Sequence, residues 1–207
     1  MAEDGAGTGD ETDLSRRKFL TTATVATGGL GVAFMLTPFL ASWKPSERAR
    51  AEGAPTELDV SKLEPGQMTT VTWRRQQVYI VRRTPEMVQS VAKIDADELK
   101  DPESKESDQP PYAANEIRAR KAEYLVVIGN CTHLGCLPKP RFEPGQQELG
   151  TDWPGGFFCP CHGSRFDMAG RVFAGSPASV NLRVPPYSFT DESRLVIGVD
   201  EPVQGAA

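Results

Sequence analysis

Every cysteine and every histidine of this chain, four and two of them, falls between positions 131 and 162, gathered into two short clusters. The first reads Cys131-Thr132-His133-Leu134-Gly135-Cys136 and the second Cys159-Pro160-Cys161-His162-Gly163-Ser164. Cysteines that only fill a core are scattered along a sequence, whereas tight Cys/His groups have the spacing that metal chelation needs. The fold therefore has to bring two loops of matching make-up to one place. Each loop supplies one candidate thiolate, one candidate imidazole and one further cysteine.

A chain of 207 residues accommodates one ordinary domain with segments to spare. Its net charge of -5 lacks the basic footprint that nucleic-acid binding requires. Residues 1–14 are Gly, Thr, Asp and Glu with little apolar content, which predicts a disordered cytoplasmic tail. Arg16-Arg17-Lys18 then leads into an uncharged run from Phe19 to Trp43. That is long enough to cross a bilayer, which takes about 20 helical residues. Thr21, Thr22, Thr24, Thr27, Gly28, Gly29 and Gly31 keep it only modestly apolar. Paired arginines ahead of such a run look like a twin-arginine export signal, and the positive charge holds the N-terminus inside. The expectation is a single-pass anchor over residues 15–43 in a bacterial inner membrane, with everything after Trp43 periplasmic. A cleaved signal peptide competes, since Ala49-Arg50-Ala51 has the outline of a cleavage site, although it lies far beyond the apolar run. A surface amphipathic helix fits poorly, because no charged face interrupts the run.

Residues 44–56 have linker composition, with Pro45, Gly53 and Pro55. After them the pattern predicts a mainly β head over 57–203. Thr69–Trp73 and Val78–Val81 read as a hairpin around an Arg-Arg-Gln-Gln turn. Thr84-Pro85-Glu86 reads as a helix start with Thr as N-cap. Residues 95–121, charged and broken by prolines, read as a long surface excursion, and Tyr124–Ile128 as a buried strand. Arg183-Val184 and Leu195–Val199 read as closing strands.

Three chemistries compete for the clusters. A structural zinc site could use Cys131, His133, Cys159 and His162. That leaves Cys136 and Cys161 idle and gives no reason for the loops to end in Gly-Cys and Gly-Ser. A Cys-His nucleophile accounts for two of the six residues. A [2Fe-2S] cluster held by two thiolates on one iron and two imidazoles on the other employs four, leaving a cysteine pair.

The motifs Cys-Thr-His-Leu-Gly-Cys and Cys-Pro-Cys-His-Gly-Ser resemble those of the Rieske subunits of bc1 and b6f complexes. The twin-arginine segment, Trp73 to Glu86, and Gly170-Arg171-Val172 through Pro185-Pro186 are similar to proteobacterial bc1 subunits, so the likeness covers nearly the whole chain after residue 14. It implies an N-terminal transmembrane helix, a flexible hinge and an antiparallel β domain, with a cluster-binding subdomain inserted at about residues 129–178. It implies Cys131 and Cys159 on the inner iron, His133 and His162 on the outer, and a Cys136–Cys161 disulfide of a kind that persists in the periplasm. It also implies Ser164 as a donor to a bridging sulfide, His162 as the quinol partner, and Gly175-Ser176-Pro177-Ala178 as a loop covering the cluster. The implied partners are cytochrome b, cytochrome c1, quinol and the membrane, within a dimeric complex. The chain departs from many mitochondrial-type members at Phe166, where they carry Tyr, and this predicts a lower reduction potential. Two rivals remain: the small subunit of another periplasmic oxidoreductase such as arsenite oxidase, and a zinc-stabilised binding domain without redox chemistry. Ring-hydroxylating dioxygenase ferredoxins fit worse, since they typically lack the second Cys of each motif and stay in the cytoplasm.

Overall fold

A helix from Thr8 to Ser42 (α1) opens the computed structural model, which describes residues 8–200. Within it Asp13–Ser42 is apolar enough to cross a membrane, with mean hydropathy 1.6, and no part of that stretch is buried. The threonines that dilute the run are neutralised by the helix itself. The hydroxyls of Thr21, Thr22, Thr24, Thr27 and Thr37 donate to the carbonyls of Arg17, Lys18, Leu20, Ala23 and Ala33, four residues back, at 2.8–2.9 Å. A hydroxyl bonded inside its own helix presents little polarity to lipid. The disordered tail needs correction: the helix already runs through residues 8–14, because an established helix gains one hydrogen bond for each residue it adds. Residues 1–7 of that tail lie outside the described residues.

A six-residue helix, Glu47–Glu52 (α2), occupies the middle of the linker composition and ends before Pro55. Residues 43–46 and 53–55 on either side of it are neither helix nor strand.

From residue 56 onward the described residues form three antiparallel sheets of three strands each. Strands β1 (Thr56–Asp59), β9 (Arg194–Ile197) and β8 (Tyr187–Phe189) make the first, in that order. Strands β2 (Met68–Trp73), β3 (Gln76–Arg82) and β4 (Tyr124–Ile128) make the second. The third comprises β5 (Lys139–Arg141), β6 (Gly156–Phe158) and β7 (Arg165–Phe166), all within residues 129–178. Val78, Tyr79, Ile80 and Val81 pair with Ile128, Val127, Val126 and Leu125, and all eight are buried, which explains why Tyr124–Ile128 is apolar without alternation. Residues 201–203, the end of the expected head, lie outside the described residues.

The hairpin turn is tighter than its composition suggests. Only Arg74 and Arg75 stand outside the strands, at φ 48° and 61°, a two-residue turn whose twist matches that of the strands. Gln76 and Gln77 belong to β3. Helix α3 (Pro85–Ala92) starts as expected, with Thr84 Oγ1 accepting from Met87 N at 3.3 Å. Arg183-Val184 is not a strand: Ile128 N donates to Arg183 O and Val184 N to Asp108 O, and the prolines that follow have no N–H to extend a ladder. Tyr187–Phe189 takes that place beside β9.

Residues 95–121 run over the surface as expected, most of them exposed, but the excursion is pinned from within: Leu99, Asp101, Ser104, Ala113, Arg118 and Ala119 are buried. Their polarity is spent inward. Arg118 donates to the carbonyls of Ala169 and Gly170 and to Gln109 Oε1, while Asn181 donates to Asp101 O and Ser104 Oγ. Arg83 reaches Met168 O and Ile117 O. Asp167, fully buried, pairs with Arg171 at 2.7 Å. Burial pushes the Arg83 and Arg118 guanidiniums down to about 10, with Asp167 among the groups that oppose it.

Candidate metal centre

The two clusters fold into the same loop. In the first, Gly135 N donates to Cys131 O at 2.8 Å and Cys131 N to Cys136 O at 2.7 Å. In the second, Gly163 N donates to Cys159 O at 2.9 Å and Cys159 N to Ser164 O at 2.8 Å. Gly135 and Gly163 close these loops at φ 82° and 80°, a conformation that side chains with a Cβ rarely adopt. This is the physical reason both clusters end in Gly-Cys or Gly-Ser. Gly129, at the base of the first loop, lies against the Tyr79 ring, where a Cβ would come within 2.4 Å.

All six chemical residues come together. Cys136 and Cys161 form a disulfide that ties one loop to the other. Cys131 and Cys159 are free and buried, close enough for each to act on the other electrostatically. Burial pushes the Cys159 thiol up, the backbone N–H of Cys161 pulls it down, and Cys131 pushes it up further. The sulfurs of Cys136, Cys159 and Cys161 lie within 4.8 Å of one another, but the disulfide leaves only Cys159 of that trio with a thiolate to offer. The rings of His133 and His162 meet edge to face with centroids 4.8 Å apart. His162 is exposed, while His133 is partly buried and its Nδ1 is shielded without a hydrogen-bond partner. A buried, unpartnered nitrogen on one of two imidazoles that meet edge to face, together with two buried thiols left unbridged, supplies the donor types of a mixed sulfur and nitrogen metal centre.

The Rieske [2Fe-2S] domain model matches residues 56–187. The chain belongs to the Rieske iron–sulfur family. A second model, described as "Ubiquitinol-cytochrome C reductase Fe-S subunit TAT signal", matches residues 7–46. The ubiquinol-cytochrome c reductase iron-sulfur subunit of Allochromatium vinosum is 50% identical over 89% of this chain and 89% of its own length. The subunit of the same name from Blastochloris viridis is 43% identical, covering 91% and 96%. That of Rhodospirillum rubrum is 41% identical, covering 90% and 93%.

A Rieske domain binds a [2Fe-2S] cluster, and the sulfur and imidazole donors here fit one. Ser164 is fully buried, and its Oγ accepts from Ala178 N at 3.0 Å, leaving the hydroxyl proton free to be donated elsewhere. The loop Gly175–Ala178 is thus held against the second cluster, helped by Ser176 Oγ, which accepts from Arg165 N at 3.1 Å. Thr132 Oγ1 donates to Val180 O at 2.5 Å and ties the first cluster to the chain just past that loop. Phe166 is fully buried in β7, opposite Phe157.

Two residues with structural roles at the Rieske site carry no signal in the sequence. Tyr79 stacks on Phe157 and donates to Pro138 O at 3.1 Å, bracing the stretch after Cys136. Lys100 reaches the carbonyls of Ser176 and Ala178. Their partners lie 59 and 76–78 residues away, so no local pattern could have marked them.

Proposed function

We propose that this chain is the Rieske subunit of a cytochrome bc1 complex, taking an electron from quinol at cytochrome b and passing it to cytochrome c1. The kinship with ubiquinol-cytochrome c reductase iron-sulfur subunits supports it, and the exposed His162 beside a shielded His133 is the observation that carries it. Cys131 and Cys159 would hold one iron of the cluster and His133 and His162 the other. When bound, the cluster supplies a one-electron acceptor whose imidazole-ligated iron bears less negative charge than a thiolate-ligated one, which raises its potential toward the quinol range. His162 offers an exposed imidazole that would accept a hydrogen bond from quinol and take its proton as the electron leaves. Leu134, 71% exposed next to His133, gives the tip an apolar surface suited to a quinol pocket. Ser164 donates to the cluster, and the Cys136–Cys161 bridge keeps both loops at a fixed separation.

The twin-arginine segment directs export of the folded head. Helix α1 stays as a single-pass anchor in the inner membrane, N-terminus cytoplasmic and head periplasmic. The non-helical residues 43–46 and 53–55 flanking α2 serve as the hinge on which the head moves between cytochrome b and cytochrome c1 within a dimeric complex.

Purified with cytochromes b and c1, the full chain should show the electron paramagnetic resonance of a reduced Rieske cluster and support quinol-dependent reduction of cytochrome c1. His162→Ala should lose both. A cluster signal without quinol-dependent reduction would assign the chain to another periplasmic oxidoreductase, and bound zinc without iron would refute the redox reading.

A further inference from the structure

Lys100 lies outside both clusters, yet its ammonium spans the loop that covers them. Nζ donates to Ser176 O at 2.5 Å and to Ala178 O at 2.8 Å, one carbonyl on each side of Pro177. The backbone from which it reaches is fixed. Lys100 N donates to Val172 O, Ala174 N donates to Glu98 O, and Leu99 bridges Phe173 within a small apolar cluster that includes Trp153. The loop has no ladder of its own, and Pro177 brings no N–H, so these two charge-assisted bonds orient the carbonyls around it. The next amide in the loop, Ala178 N–H, is the one that donates to Ser164 Oγ.

We propose that Lys100 is a positioning residue for the cluster: by gripping the carbonyls on both sides of Pro177 it keeps Ala178 N–H on Ser164 Oγ, and so aims the Ser164 hydroxyl proton at the cluster. A serine hydroxyl has one proton, and when a backbone amide occupies a lone pair on one side, that proton points away from the amide. The inference rests on the ligand assignment above and on Ser164 as a donor to the cluster. It gives Lys100 a route to the reduction potential that depends on Ser164 and differs from that of a distant positive charge.

Redox titration of the full chain in native membranes, followed by electron paramagnetic resonance, tests it together with amide exchange at Ala178. Lys100→Met should weaken reduction by up to about tenfold, which is about 59 mV for one electron, and should speed exchange at Ala178. Lys100→Arg should restore both values toward the parent. In a Ser164→Ala background, Lys100→Met should add no further shift. An unchanged potential at full cluster content overturns the proposal, and so does an equal shift in both backgrounds, which would show a charge acting through space. Should Lys100→Met fail to load, Lys100→Gln, which keeps a donor, takes its place under the same criteria. A parent chain without a Rieske signal would sink the ligand assignment instead. Exchange at Ala178, which needs no cluster, would still decide whether Lys100 grips the loop.

Discussion

Single side chains divide here into those that bind, those that tie and those that tune. Cys131→Ser, His133→Ala, Cys159→Ser and His162→Ala should each abolish the cluster signal, because the chain has no spare Cys or His except the bridged pair. Iron analysis of the purified variants checks this. Cys136→Ala and Cys161→Ala should still take up a cluster but lose it quickly, since they remove the tie and leave every ligand. Phe166→Tyr should raise the midpoint potential by tens of millivolts. A hydroxyl donating to a ligand sulfur stabilises the added negative charge, 59 mV corresponds to about 1.4 kcal/mol, and such a bond is worth roughly 1.5–3 kcal/mol. Phe166 is wholly buried, so the new hydroxyl has no water to turn to. Ser164→Ala should move the potential down, and unchanged potentials in both variants would remove these two positions from the tuning of the cluster. The six Cys and His residues were legible because their chemistry is rare and their spacing local. Tyr79 and Lys100 were not, because a tyrosine in a strand and a lysine in a charged stretch look the same whether or not a carbonyl awaits them.

Among the elements, the ones read correctly announce themselves within a few residues: the Thr84 cap, the β-branched runs of β2 and β3, the unbroken apolar run of β4. The segment 95–121 is mostly exposed, as its charge and prolines predict, but its buried anchors were not legible, because their partners are distant in sequence. Here buried arginines find carbonyls from residues 168–170, far along the chain. Three guanidiniums, of Arg83, Arg118 and Arg171, are buried; buried Asp167 pairs directly with Arg171 and acts at longer range on Arg83 and Arg118. Asp167→Asn keeps the shape and deletes the countercharge. It should cost about 3–5 kcal/mol of stability, the scale for breaking a buried ion pair, and appear as a lowered thermal midpoint. A variant as stable as the parent would mean that backbone carbonyls alone suffice for these cations.

At the scale of the whole molecule, the match of residues 7–46 to a TAT-signal model suits the proposed export of a head already folded, a route that a cluster assembled in the cytoplasm would require. Arg16→Lys combined with Arg17→Lys should strand the head in the cytoplasm, as judged by protease protection in spheroplasts. Mass spectrometry of the mature parent chain should find residues 19–43 still attached, and a chain beginning near residue 52 would instead establish cleavage at the Ala49-Arg50-Ala51 outline. The threonine hydroxyls of α1 bear on the same journey. Written out as an extended strand the segment bares its threonine hydroxyls; coiled, with those of Thr21, Thr22, Thr24, Thr27 and Thr37 turned onto carbonyls one turn back, it presents a more uniformly oily face. Its affinity for lipid is therefore a property of its conformation as much as of its composition. A machine that inspects the segment uncoiled meets a different substance from the bilayer that later receives it as a helix.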